Sequence, residues 1–358
     1  MIRELLTHPQ ELAWLPWAVQ YFFFIGIAAT AAFVAIGIRW FGKGNYKKTE
    51  LVTLAIAATC GIVGPIALSA DLHQPGRIMN FYLSITPWSW MWVGAIIVPG
   101  FVAALLLQFL LVVRENSVKE NTFKWLRFIH WGNYNETRLI PFVSIVLALT
   151  AFGIVLYTGK EVNVLKAQAL WHSPWLPWAL FFTALQAVPM LIKTWKNWAN
   201  IDEKAPFLNH LQLFGLLGVA ATLAGWALSN DPAGEAFRSL PEQGSVWFTI
   251  GLGLLIYFAS LLSFTLYTYR DNRIKSRLLY LVLALMSLSL AWTVRWAILM
   301  QTQTLPKYNV IINPYHLSWG FDGALGIIST FGLWLTLLIV FWSLLHDRWF
   351  TFKGAHHG

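Results

Sequence analysis

Nine times along the chain an apolar run of about twenty residues recurs, and this recurrence limits the fold more than any other feature. Crossing the roughly 30 Å hydrocarbon core of a bilayer takes about 20 apolar residues as a helix. The backbone can be satisfied there only by helices or by a closed barrel. Period-two alternation is absent from the runs, which excludes the barrel. The sequence therefore predicts an all-α integral membrane protein with nine transmembrane helices, over residues 14–38, 51–70, 88–113, 139–158, 175–192, 211–229, 246–269, 278–300 and 323–345. A composition of 57% hydrophobic and 11% charged residues lies outside the range of ordinary soluble domains.

Orientation follows from Lys and Arg, which stay in cytoplasmic loops. Eighteen of the 25 fall in one set of connections: around Arg39 to Lys48, Arg114 to Arg138, Lys193 to Lys204 and Arg270 to Arg277, and in the C-terminal tail. Six lie on the other side and Arg295 lies within a span. The N-terminus is thus expected on the outer side, which for a bacterial inner membrane is the periplasm, and the C-terminus in the cytoplasm of a multi-pass membrane protein. The net charge of +9 is this topological signal and no sign of nucleic-acid binding. The first run lacks a basic start and a small-residue cleavage site, so it reads as an uncleaved anchor. Many of the 21 Trp residues sit near span ends, as interfacial belts require.

The chemistry available to the chain is narrow. One cysteine, Cys60, rules out an intramolecular disulfide and a thiolate-held iron–sulfur cluster or Cys-rich zinc site. The nine histidines all sit at span ends, in loops or in tails, so no haem is expected. No metal site is foreseen.

Leu15-Pro16-Trp17-Ala18 opens the first span and Leu176-Pro177-Trp178-Ala179 the fifth, four spans later and in the same orientation. This repeat suggests two four-helix bundles in parallel, with a ninth helix appended and a cleft between the bundles as a natural ligand site. The expected division is 1–158, 159–300 and 301–358, the last a periplasmic loop, the ninth helix and the tail.

The polar residues of the spans gather at the periplasmic ends. Gln20 and Tyr21 open the first span; Asp71, His73 and Arg77 follow the second; Tyr157, Lys160 and Glu161 leave the fourth; Arg295 sits about one turn from the end of the eighth; Lys307, Tyr308 and Asn309 fill the next loop. Structural readings stand beside each: a loop ion pair for Asp71 and Arg77, an interhelical bond for Gln20, a belt aromatic for Tyr157, partner docking for Lys307, Tyr308 and Asn309. Arg295 is hardest to read so, because a charge within a span costs roughly 2.5–3.5 kcal/mol on insertion scales. The inner halves hold isolated Gln108 and Gln186 and no trail of carboxylates from face to face.

A lipid-accessible pocket near the periplasm with donors, acceptors and bases suits the head group of a quinol. Its oxidation releases two electrons and two protons, so the site needs hydrogen bonds to both ring oxygens and a proton acceptor. His73, Asp71 and Glu161 are the candidate bases; Gln20, Tyr21, Arg77, Tyr157, Lys160 and Arg295 are candidates for fixing the oxygens. With no redox centre of its own, the chain would pass electrons to a partner.

Ala70-Asp71-Leu72-His73-Gln74-Pro75-Gly76-Arg77 and Leu156-Tyr157-Thr158-Gly159-Lys160-Glu161-Val162 resemble the membrane subunits of the polysulfide reductase and formate-dependent nitrite reductase type. Leu15 to Phe24, Thr86 to Met91, Arg295-Trp296, Pro306 to Asn309 and Asn313 to Tyr315 resemble, within that family, the tetrathionate reductase membrane subunits. The resemblance implies a haem-free subunit that oxidises quinol, with menaquinol expected. Electrons would pass to a four-cluster, ferredoxin-type iron–sulfur subunit and on to a molybdopterin catalytic subunit. It also implies a quinol site at Gln20, Tyr21, Asp71, His73 and Tyr157. Many relatives have eight spans where this chain has nine. A related polysulfide or thiosulfate oxidoreductase subunit, a small-solute transporter and an inert anchor are the competing readings.

Overall fold

The computed structural model describes residues 12, 14–72, 76, 78–117, 129–132, 134–270, 276–305 and 315–345. Its helices are α1 (Pro16–Phe41), α2 (Lys47–Ala70), α3 (Ile78–Leu83), α4 (Trp90–Asn116), α5 (Glu136–Asn163), α6 (Leu176–Trp198), α7 (Phe207–Leu228), α8 (Pro232–Ser239), α9 (Ser245–Arg270), α10 (Arg277–Leu299) and α11 (Ala324–Leu345). Among the described residues nine of these, all but short α3 and α8, are long and apolar enough to cross a membrane. The nine runs read from the sequence are these nine helices.

Several helices outrun their apolar runs at the basic end. α6 continues to Trp198 and α5 begins at Glu136, because helical bonding needs only backbone while long cationic side chains can reach polar partners from within it. Lys193 Nζ donates to Gln212 Oε1 at 2.9 Å and Lys196 Nζ to Thr49 Oγ1 at 2.7 Å. At the same end Arg39 bridges Glu50 and Glu115, each at 2.7 Å, and Arg114 pairs with Glu136. Pro16 and Pro177 occupy the first turns of α1 and α6, where a missing N–H costs nothing. Asn135 and Ser276 cap α5 and α10, accepting from the N–H groups of Thr137 and Leu279 at 3.1 and 3.3 Å.

α1 is the central helix: 83% of its apolar stretch is buried inside the protein, against 11% for α9, which therefore lies at the lipid-facing edge. α1 packs on α2, α5, α6, α10 and α11. Small residues let it close on α2, where a side chain at Gly64 would meet the Ile25 backbone nitrogen at 3.3 Å, and let α2 close on α4, where one at Gly61 would meet the Leu105 side chain at 2.8 Å. Such close approach matters in lipid, where packing rather than water exclusion drives helices together. Each of α1, α2, α4 and α5 touches the next and α5 returns to α1; α6, α7, α9 and α10 repeat that circuit; α11 lies on α2 and α1. Two glutamines within spans cross helix pairs: Gln108 Nε2 donates to Ser144 Oγ at 2.9 Å, and Gln186 Nε2 to the Ser287 carbonyl at 2.8 Å.

Candidate functional site

The end of the protein at which α1 begins carries a polar cluster on α1, α2 and α5. Tyr21, in the second turn of α1, is fully buried, and Tyr157, near the end of α5, is 3% exposed. Glu161 stands one turn beyond Tyr157 because α5 runs on to Asn163, so both point to one side of the helix. The Tyr157 hydroxyl lies within the influence of both the Tyr21 hydroxyl and the Glu161 carboxylate. Asp71, the C-cap of α2, adds its charge to the field at Glu161, and Tyr82 of α3 to that at Tyr21. Although the two tyrosines approach each other, Tyr21 Oη has no hydrogen bond of full geometry, and neither has Glu161 Oε2; both atoms are buried. Buried polar atoms are almost always satisfied, so such a pair marks a place for water or ligand.

Gly94 in the first turns of α4 makes room for this cluster. The Tyr157 ring and hydroxyl fill the space that a Cβ at Gly94 would need. Sequence reasoning passed over Gly94; its signal was a glycine set among Trp88, Trp90 and Trp92 in a span otherwise begun by bulky residues.

Arg295 is 1% exposed and lies where α1, α6 and α10 meet. Its Nε donates to the Phe22 carbonyl at 3.0 Å, Nη1 to the Ala291 carbonyl at 2.8 Å and Thr183 Oγ1 at 3.1 Å, and Nη2 to the Leu180 carbonyl at 2.8 Å. Among the described residues no carboxylate pairs with it. A cavity of about 20 Å³, lined also by Gly26, Thr158 and Phe181, adjoins the guanidinium. Arg295 thus borders the polar cluster through Phe22, the neighbour of Tyr21, without joining it.

Gln20 faces the other way. It is fully buried, donates to Thr330 Oγ1 at 2.8 Å and the Ile327 carbonyl at 3.2 Å on α11, and accepts from Trp292 Nε1 at 2.9 Å. Lys160 lines a separate lipid-facing cleft of about 500 Å³ between α5 and α6, with His172, Asn163, Trp178 and Phe181. That cleft has cationic and amide groups and no carboxylate among its lining residues. His73, Arg77, Lys307, Tyr308 and Asn309 lie outside the described residues. The stem of the loop after α10 is clasped: Gln303 exchanges hydrogen bonds with the Trp14 backbone at 3.1 and 3.2 Å, and Gln168 donates to the Thr302 carbonyl at 2.7 Å. No group of three or more His, Cys, Asp or Glu among the described residues is placed to hold a metal.

Among the described residues, nine helices long and apolar enough to cross a bilayer, with a buried tyrosine–carboxylate cluster at one end, define a multi-pass membrane protein. The chain belongs to the NrfD, polysulphide reductase family, whose model matches residues 4–307. It is 38% identical over 345 residues to a tetrathionate reductase subunit of Salmonella typhimurium, covering 95% of this chain and 94% of that one. It is a membrane subunit of the reductase-complex type, as the resemblance in its motifs implied.

Proposed function

We propose that the chain is the quinol-oxidising membrane anchor of a periplasm-facing respiratory reductase, and that the complex reduces tetrathionate. The observation that carries the quinol reading is the buried group Tyr21, Tyr157 and Glu161, in which the Tyr21 hydroxyl and one Glu161 carboxylate oxygen have no hydrogen-bond partner in the protein. A quinol head group offers what those atoms lack. One ring hydroxyl donates to Glu161, which takes the proton as the ring is oxidised, and the tyrosine hydroxyls hold the ring oxygens. Asp71 lies on the same side as the acceptor for the second proton. Per turnover the quinol gives two electrons and two protons and leaves as quinone; the electrons pass to an iron–sulfur partner and on to a molybdopterin subunit, and the protons leave to the periplasm. Menaquinol is the expected donor.

The circuits α1–α2–α4–α5 and α6–α7–α9–α10 support two four-helix bundles in repeat, with α11 added. The basic residues at the opposite end from the cluster support a periplasmic N-terminus and site. Tetrathionate is carried by the relative's activity alone, since the acceptor is handled in another polypeptide.

Glu161→Gln and Tyr157→Phe test the reading in the assembled complex. Quinol-driven tetrathionate reduction should fall about a hundredfold or more in Glu161→Gln, while reduction driven by a soluble dye that feeds the partner subunits directly stays at the parental rate. Parental quinol-driven turnover in both variants would overturn the assignment.

A further inference from the structure

The two four-helix circuits meet along α5 and α6, the last helix of one and the first of the other, and the cleft of about 500 Å³ lies in that seam. Phe152, Leu156, Lys160 and Asn163 all line it and fall on one stripe of α5. That stripe covers about 16 Å at a rise of about 1.5 Å per residue, close to half of the roughly 30 Å hydrocarbon core. Across from it, Pro177, Trp178 and Phe181 form the wall on α6. Phe152, Leu156 and Trp178 are each about half exposed, so the cleft opens sideways along its length.

Its two ends differ in chemistry. Toward the middle of the spans the lining is apolar and largely aromatic; at the end where α1 begins it carries Lys160, His172 and Asn163. His172 Nδ1 donates to the Asn163 carbonyl at 2.6 Å and Asn163 Nδ2 to the Ser173 carbonyl at 3.0 Å. These bonds tie the end of α5 to the turn before α6 and leave His172 only Nε2 for a ligand. The described lining residues include no carboxylate, and among the described residues no ion pair holds Lys160. A cation at the mouth of an apolar groove one leaflet deep is the complement of an amphiphile with a negative head.

We infer that this cleft seats an anionic phospholipid of the leaflet on that side, its phosphate against Lys160 and one acyl chain along Phe152, Leu156 and Phe181. Other membrane amphiphiles fit less well. A quinol head is uncharged and brings Lys160 no counter-charge; a zwitterionic head brings an ammonium for which the lining has no carboxylate. The seat has a structural consequence as well. Val155, Pro177 and Phe181 wall both this cleft and the small cavity beside Arg295. The acyl chain therefore packs against the outside of the joint that Arg295 makes between α1, α6 and α10. The inference stands apart from the chemistry proposed for Tyr157 and Glu161.

The intact complex, stripped of lipid and placed in nanodiscs of phosphatidylcholine with or without phosphatidylglycerol, tests this. Phosphatidylglycerol should raise the melting temperature of the parent, as a ligand of the folded state does. With a photoreactive acyl chain it should label the peptides covering residues 152–163 and 174–181, and phosphatidylcholine with the same chain should label them about tenfold less. Lys160 is exposed, so Lys160→Gln should keep the parental melting temperature in phosphatidylcholine, lose the rise, and lower labelling by phosphatidylglycerol about tenfold. Lys160→Arg should retain both responses. Inorganic phosphate, which cannot fill the apolar half, should leave the melting temperature where it was. Equal labelling by the two lipids, or undiminished labelling in Lys160→Gln, would overturn the site. A rise with inorganic phosphate as large as the lipid's would sink the lipid reading. An azidoquinone that labels the same peptides and is not displaced by phosphatidylglycerol would give the cleft to quinone instead.

Discussion

Arg295 directs its guanidinium at oxygens on three helices, Phe22 of α1, Leu180 and Thr183 of α6, and Ala291 of its own α10. Sequence reasoning could see that a charge within a span needs a reason, but backbone carbonyls have no sequence signature, so the partner was not legible. The geometry favours a fastening role. Removing the guanidinium deletes three hydrogen bonds from a charged donor that tie α10 to α1 and α6, each worth about 1.5–3 kcal/mol. Arg295→Leu should therefore lower the melting temperature and yield of the detergent-solubilised complex, with quinol- and dye-driven activity falling together. A variant of parental melting temperature that lost only quinol-driven turnover would return Arg295 to the site. Gly94 gives the opposite pattern. A methyl group at Gly94 displaces the Tyr157 ring, and a displacement near 1 Å at a reacting centre costs on the order of a hundredfold. Gly94→Ala should thus cut quinol-driven turnover while dye-driven turnover holds, and should add little in a Tyr157→Phe background, because both changes remove the same contact. Tyr157 and Glu161 were legible through the motif that contains them; their alignment with Tyr21 depends on how α1 and α5 rotate against each other, which no local pattern encodes.

At the level of helices, what the sequence could show was set by length. The spans were legible because the bilayer fixes how long an apolar run must be. Short α3 and α8 were not, since six or eight residues of mixed polarity carry too little periodicity to read. α8 nevertheless has a local cause. Asp231 caps it, accepting from the Gly234 N–H at 2.7 Å and the Ser229 hydroxyl at 2.9 Å, and Pro232 fixes its first turn. Those two donors, the Gly234 N–H foremost, hold the Asp231 carboxyl below its usual value. A depressed folded value means that the cap stabilises α8 above the ordinary carboxylate range and is lost as pH falls through that value. Exchange protection of the Gly234 amide should therefore persist at neutral pH and drop only below about pH 3.9, the usual Asp value. Asp231→Ala should remove it at every pH and loosen α8 by about 1 kcal/mol. Protection unchanged in Asp231→Ala would mean that Phe237 stacking on Trp226, with centroids 5.2 Å apart, holds the helix by itself. Between helices, Gln20 joins α1 to α11 and α10. Hydrogen bonds between membrane helices average only about 0.6 kcal/mol. Gln20→Leu should accordingly cost little in melting temperature and leave quinol turnover near the parental rate; a tenfold loss of turnover would place Gln20 with the ring after all.

For the whole molecule, the asymmetry of charge and the asymmetry of the site are one arrangement seen twice. The ion pairs of Arg39, Glu50, Glu115, Arg114 and Glu136 lie at one end of the spans, and the tyrosine–carboxylate cluster lies at the other. If the basic end is cytoplasmic, the cluster faces the periplasm, where released protons and a docked electron acceptor belong. Thiol labelling reads the orientation cleanly, because the one native cysteine, Cys60, is fully buried in α2. In the parental background, Glu242→Cys, on the exposed turn Leu240–Gln243, should react with a membrane-impermeant maleimide in intact spheroplasts. Asn200→Cys, in the turn between α6 and α7, should react only after the membrane is opened. The reverse pattern would turn the molecule over, put Tyr157 and Glu161 at the cytoplasmic surface, and require that the electrons leave toward a cytoplasmic partner.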